Sequence, residues 1–282
     1  MKQNDYLKSK LADLEDESFL EILESSLDIK GEIPTTEIDI LHISTMEYQP
    51  TERITTGFES LDVKIGGLGK GHVVMIGGDT SNGKSALATN IAVRVSRERP
   101  VLFITLEMLH NELIERIKAC NGGTVDGLDL MFQKEYRLTW KDLEPTIKKG
   151  MEMGNIELVV LDYLQYLGRG MSVQEVAVMS KEIKTLALKY KLPIIVIVSL
   201  RKGEGGANKR KWHDTEIQDF MGTGAIGYDC DTAVIVSRKD LDDEFDNDHV
   251  FIKVLKTRNT KLDYNNRFLT MNWDKTAISD LT

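Results

Sequence analysis

Residues 78–85, Gly-Asp-Thr-Ser-Asn-Gly-Lys-Ser, constrain the fold of this chain more than any other stretch. The spacing G-x-x-x-x-G-K-S is that of a phosphate-binding loop, and it carries meaning only between a strand and a helix. The flanks supply both. Residues 72–77 are an apolar run of buried-strand type, and residues 86–95 have helical composition. Gly78 and Gly83 let the backbone close around an anion, so that N–H groups across Asp79, Thr80, Ser81 and Asn82 point at phosphate oxygens. The helix that follows adds the positive end of its dipole. Lys84 is expected to reach the β- and γ-phosphates and Ser85 to ligate Mg²⁺, which makes ATP and Mg²⁺ the expected ligands.

Two carboxylates extend this reading. Pro100 precedes a second buried-type strand, residues 101–106, which ends on Glu107. If that strand lies beside the P-loop strand, Glu107 faces the γ-phosphate and polarises the attacking water. The plainer alternative is a solvated carboxylate at the start of a helix. Residues 156–161 form a third apolar strand that ends on Asp162, the pattern of the carboxylate that holds Mg²⁺ directly or through water. Thr139 is placed as a helix N-cap, residues 121–129 as a glycine-rich loop, and residues 173–190 as a helix. Pro193 then opens a fourth strand over residues 194–198, and residues 232–237, 249–255 and 266–273 read as three more. Strands alternating with helices predict an α/β fold with a mostly parallel sheet covered on both faces.

Charge divides the chain. The 282 residues sum to −9, yet residues 1–60 alone hold fourteen acidic and five basic side chains, so the remainder is neutral. Such a balance argues against a general nucleic-acid coat but leaves room for a local basic channel. The candidate is the glycine-rich stretch 201–213, with Arg201, Lys202, Lys209, Arg210 and Lys211. Read in isolation, it is a solvated charged loop; on a channel it would grip a phosphate backbone. Residues 1–30 carry apolar side chains at helical spacing and predict a short N-terminal helical arm, and residues 31–53 read as a linker. The arm packs either on its own domain or on a neighbouring subunit. Residues 54–282 are then the catalytic domain. Cys120 and Cys230 show no metal-ligand spacing, and no apolar run is long enough for a bilayer. A reduced, cytoplasmic location and no membrane partner are expected.

From about Ile54 to Trp273 the chain resembles the RecA-like motor domain of DnaB-family replicative helicases and the helicase half of phage primase-helicases. The matching residues are Thr56-Gly57-Phe58 with Leu61-Asp62, the P-loop, Leu106-Glu107-Met108, Leu161-Asp162-Tyr163-Leu164-Gln165, Gly224-Ala225-Ile226, Arg238, and Lys256-Thr257-Arg258-Asn259. The resemblance implies a homo-hexameric ring that moves on single-stranded DNA, in the 5′ to 3′ sense, at a replication fork. A primase and a helicase loader are implied as partners, in a bacterial or phage-infected cell. It makes Glu107 the catalytic base, Asp162 the Mg²⁺ carboxylate and Arg258 an arginine finger reaching the next subunit with Lys256 beside it. It also puts Arg238 near the nucleotide, and residues 201–211 on the central channel.

The departures from the family are specific. Ser199 stands where Gln or His is usual, Met221 where Arg is common, and residues 260–263 replace a glycine-rich turn. Few residues precede the motor, as in a minimal phage or mobile-element helicase. A RadA-like recombination ATPase shares the P-loop segment and a Lys-x-Arg motif, but those proteins carry a cysteine zinc module not found here. A slow ATP-gated hexameric scaffold is the other alternative. Ser199 and Met221 favour it, and the presence of both Glu107 and Arg258 opposes it.

Overall fold

The structure, a computed structural model, describes residues 50–282 apart from residues 163, 165–171, 201–210, 221–226, 228, 241, 243, 262–266, 275 and 282. The expected arm, most of the linker, and Arg201, Lys202, Lys209 and Arg210 lie outside the described residues. Residues 50–282 form one compact unit.

The elements follow the pattern of the apolar runs. β1 (Arg53–Ile54) pairs antiparallel with β2 (Leu68–Gly69), flanking α1 (Glu59–Ile65). Then come β3 (Val73–Gly78), α2 (Lys84–Val95), β4 (Val101–Thr105), α3 (His110–Cys120), β5 (Leu130–Phe132) and α4 (Leu143–Gly154). β6 (Leu158–Asp162), α5 (Val173–Tyr190), β7 (Ile194–Ser199) and β8 (Thr232–Ser237) follow. Three strands close the chain: β9 (His249–Thr257), β10 (Phe268–Asp274) and β11 (Ala277–Asp280). Thr139 caps a turn of 3₁₀ helix that runs into α4, its hydroxyl and N–H both bonded to Asp142.

Nine strands make one sheet in the order β11-β10-β9-β8-β3-β7-β6-β4-β5. The strands from β8 to β5 are parallel, and β9, β10 and β11 add antiparallel at one edge. Of these nine, two were not legible in the sequence, β5 and β11, and they are the two edges. A three- or four-residue edge strand has too few positions to show a period.

Strand alternation assigns each side chain to one of two cores. Val74, Ile76, Phe103, Val160 and Ile197 pack under α1, α2 and α3. Val73, Met75, Ile104, Leu161 and Val196 pack under α4 and α5. Full burial of side chains such as Phe103 or Leu87 contributes roughly 1.5–3 kcal/mol each. α2 is buried along nearly its whole length, and its alanines let it approach the sheet closely. Asn90, inside α2, spends its side chain on Ala86 O, Thr276 O and Ile278 N–H, which fastens the β10–β11 hairpin to the P-loop helix.

Candidate functional site: a phosphate-binding cavity

The P-loop sits where its sequence puts it, between the carboxyl end of β3 and the first turn of α2. Gly83 is the N-cap of α2 at φ 91°, in the left-handed region that glycine enters at least cost. Its bare α-carbon also leaves room for the ring of Trp273, which a Cβ would meet at 3.1 Å. Gly78 is required for space: a Cβ there would lie 2.5 Å from the Val236 carbonyl oxygen. The Asn82 N–H donates to Asp79 O at 3.3 Å and folds the turn. Thr80 and Ser81 are exposed, and the Lys84 Nζ donates to Asp79 O at 2.7 Å. The lysine is therefore held along the loop it would share with a phosphate.

A cavity of about 430 Å³ opens over the loop. Thr80, Ser81, Gly83, Lys84 and Ser85 form its floor, Glu107 and Ser199 its wall. Glu107 reaches it by a route the sequence did not predict. β4 is not beside β3: β7 and β6 lie between them. The strand next to the P-loop strand is β7, whose Ser199 pairs in register with Gly78. Crossover helices set this order, and no local pattern encodes it. The ladder between β4 and β6 ends with the Leu106 N–H donating to Asp162 O at 2.8 Å. The chain then bends over residues 106–108, where Glu107 lines the cavity.

Asp162 ends β6 with its side chain fully buried, and neither carboxylate oxygen carries a hydrogen bond of normal length. The Ser85 hydroxyl is close enough to favour the charged form, but burial dominates, and the Glu107 charge adds to it, so the carboxyl is pushed up to about 7. An orphaned buried carboxylate beside a P-loop hydroxyl fits a divalent cation arriving with the nucleotide. Among the described residues no three His, Cys, Asp or Glu side chains cluster to hold a metal by themselves. Burial lowers the proton affinity of Lys84, and the charges of Glu107, Asp162 and Asp79 oppose that.

Trp273, Arg116 and Glu112 line the cavity without belonging to any motif. Trp273, from β10, lies against Gly83, and the Arg238 guanidinium sits 4.1 Å from its ring centre. Arg238 itself is buried and donates to the carbonyls of Asp246, Asn247 and His249. Its link to the cavity runs through the Trp273 ring. Arg116 and Glu112 face the cavity from α3, one helical turn apart. Only that spacing, four residues along an amphipathic helix after Glu107, could have marked them.

Arg258 and Lys256 are elsewhere. β9 runs antiparallel to β8, with Thr257 level with Thr232, so Arg258 falls at the amino end of the parallel strands. The P-loop is at the carboxyl end, about 17 Å away along β3 at roughly 3.3 Å per residue. Arg258 is half-exposed and bonded to Asp231, and the Lys256 Nζ donates to Gly227 O. Of the basic loop, Lys211 alone is described, as an exposed residue leading into the turn Trp212–Asp214.

These features define a P-loop NTPase on a RecA-like sheet. The chain belongs to the family of the DnaB-like helicase C-terminal domain, whose model matches residues 53–126 and 121–275. It is 25% identical over 248 residues to the replicative DNA helicase DnaB of Leifsonia xyli, covering 75% of this chain and 53% of that one. It is 26% identical over 217 residues to a probable plasmid replicative DNA helicase of Chlamydia trachomatis, covering 66% and 47%. The chain thus spans about half the length of the curated relatives it matches. Among solved structures, it is similar to a DnaB-like replicative helicase studied with primase (TM-score 0.69, 16% identity, 100% of this chain and 72% of that one). A KaiC-like protein of Pyrococcus horikoshii shares the fold at TM-score 0.57 and 17% identity, over 83% of this chain and all of that one. Among the described residues no helix is long and apolar enough to cross a membrane.

Proposed function

We propose that this chain is the ATP-driven motor of a ring-shaped replicative DNA helicase that moves along single-stranded DNA, 5′ to 3′, and opens duplex at a fork. Residues 54–282 are its motor and residues 1–53 its arm and linker. The reading is carried by one observation: Lys84, Ser85, Glu107 and Asp162 share one end of the sheet while Arg258 is held at the other. Among the described lining residues Lys84 and Arg116 are the cations, and on this reading the arginine of a second copy completes the site. We read that second copy as part of a homo-hexamer, in keeping with the family likeness, with a primase, a helicase loader and the DNA as further partners in a bacterial or phage-infected cytoplasm.

On this reading each residue has its own chemistry. The loop N–H groups and Lys84 hold the phosphates of ATP. Ser85 and Asp162 would hold Mg²⁺, which when bound neutralises phosphate charge and orients the γ-phosphate. Glu107 takes the proton of the attacking water. Arg258 of the next subunit, with Lys256 near it, stabilises the charge that builds on the transferred phosphoryl group. Trp273 offers a flat face for the base, and Arg238 steadies that ring. Arg201, Lys202, Lys209, Arg210 and Lys211 take the DNA backbone without regard to sequence.

The test compares ATP hydrolysis with and without single-stranded DNA, and unwinding of a forked duplex, for wild type and Lys84→Ala. DNA-stimulated turnover and fork opening, both lost in Lys84→Ala, are expected. Turnover indifferent to DNA, with no fork opened by an assembled ring given its partners, overturns the helicase reading. A slow nucleotide-gated ring is the second reading, favoured by the short Ser199 next to Gly78, and that same outcome would support it.

A further inference from the structure

At the sheet end away from the P-loop lies a second charged cluster that the chain's own cavity does not use. Its centre is Asp231, just before β8, with a side chain 3% exposed. Oδ2 accepts the Val73 N–H at 2.8 Å and the Lys184 Nζ at 2.7 Å. Oδ1 accepts from the Arg258 Nη1 at 3.0 Å. The backbone repeats the linkage: the Asp231 N–H donates to Val73 O at 2.9 Å, and the Arg258 N–H to Asp231 O at 3.0 Å.

We propose that Asp231 is the positioning residue for Arg258, holding its guanidinium in the orientation in which it meets the phosphates bound by a neighbouring copy. This rests on the reading of Arg258 as a trans-acting arginine.

Several observations converge. Asp231 cannot shift without breaking a backbone bond to the P-loop strand, so it is a rigid anchor for a long side chain. Arg258 follows an irregularity in β9, where Val254 and Lys256 pair with consecutive residues Val234 and Ala233 and Leu255 bulges out. A bulge re-aims the residues beyond it, and Asp231 then fixes the new direction. Only one guanidinium N–H is spent on Asp231, and the Arg258 side chain stays 53% exposed, so its other donors face outward. Charge is not cancelled either. Two cations, Arg258 and Lys184, share one carboxylate, while burial holds His72 below its ordinary proton affinity. The cluster therefore keeps a net positive charge for an incoming phosphate. A pre-oriented cation at a developing charge acts without reorganisation, which is where enzymes gain most from it.

The competing role for the same ion pair is restraint, in which Asp231 withholds the arginine. The two roles predict opposite signs. With the full chain and single-stranded DNA present, Asp231→Asn should lower kcat about 10- to 100-fold, the scale of a misplaced catalytic group, and leave KM for ATP within about twofold. In an Arg258→Ala background the same change should slow turnover no further. Mixed with Lys84→Ala subunits, whose arginines are intact, Asp231→Asn subunits should regain activity. If Asp231→Asn does not assemble, Asp231→Glu, which keeps the charge and both acceptor oxygens, goes through the same cycle with a smaller loss expected. Wild-type or faster turnover of the Asp231 variant, beside an inactive Arg258→Ala, overturns the positioning role and leaves the trans arginine standing. So does a variant that Lys84→Ala subunits fail to rescue when they do rescue Arg258→Ala, because the damage then lies in its own P-loop strand. Unimpaired turnover of Arg258→Ala removes the reading on which the proposal rests.

Discussion

The side-chain amide of Gln133 pairs with the backbone of Thr105 in both directions, the Thr105 N–H donating to Oε1 at 3.1 Å and Nε2 donating to the Thr105 carbonyl. The backbone ladder between β4 and β5 ends at Phe103 and Phe132, so this amide replaces the next peptide group. On the other side, Leu106 is tied to Asp162. The segment that delivers Glu107 is thus fastened from both neighbours.

Replacing Gln133 with Leu should leave a buried N–H and a buried carbonyl of Thr105 without partners. Each orphan costs about 1–3 kcal/mol, so chemical denaturation should show a loss of this order. Because the clamp lies two residues from Glu107, kcat should fall several-fold while nucleotide affinity changes little. Steady-state kinetics beside a fluorescent-nucleotide titration checks this. A drop in affinity with kcat intact would contradict it.

Asp162 makes the nucleotide-free protein sensitive to pH. Burial raises its carboxyl from an ordinary 3.8 to about 7, so the folded state holds a proton that the unfolded chain has released. The stability this proton lends is complete below the unfolded value and is lost as pH rises through about 7. At about 1.4 kcal/mol per unit, wild type should lose roughly 2–3 kcal/mol from this group between pH 5 and pH 8. Asp162→Asn should lack that slope and be the more stable protein at pH 8. Denaturation midpoints of both proteins across this range test the sign. An equal slope in the two would contradict it.

Trp273 should carry much of the base affinity. Stacking of a base on an aromatic ring is worth about 1–3 kcal/mol, so Trp273→Ala should weaken ATP binding roughly 5- to 150-fold, and Trp273→Phe should recover part of it. The emission of Trp273 should change on nucleotide addition, and this change should be missing from the Trp273→Phe protein. An unaltered dissociation constant for Trp273→Ala would place the base elsewhere.

What the sequence revealed and what it hid separate by range. The P-loop was legible because its chemistry and backbone lie within eight consecutive residues. Asp162 was legible because an apolar run ending in a carboxylate is a local pattern, and the buried strands because their runs are long. The neighbours of β4 were not legible, since two crossovers place β7 and β6 between it and β3. Gln133 and Trp273 left no signal either, and Arg116 left only its helical spacing after Glu107. Their roles arise from an edge strand, the inward face of a helix and a hairpin fastened to α2 by Asn90, all brought to the site by folding. Arg238, which the family resemblance puts near the nucleotide, sits behind the Trp273 ring, 4.1 Å from its centre.

The central claim is that Lys84 and Arg258 serve one reaction from two chains. The most direct measurement mixes Lys84→Ala with Arg258→Ala, each nearly inactive alone, and follows ATP hydrolysis as the ratio varies. At interfaces where an Arg258→Ala cavity meets a Lys84→Ala arginine, a complete site forms, so turnover should rise well above that of either protein and peak at intermediate ratios. Turnover that never exceeds the sum of the two, in rings shown to contain both chains, would contradict the account.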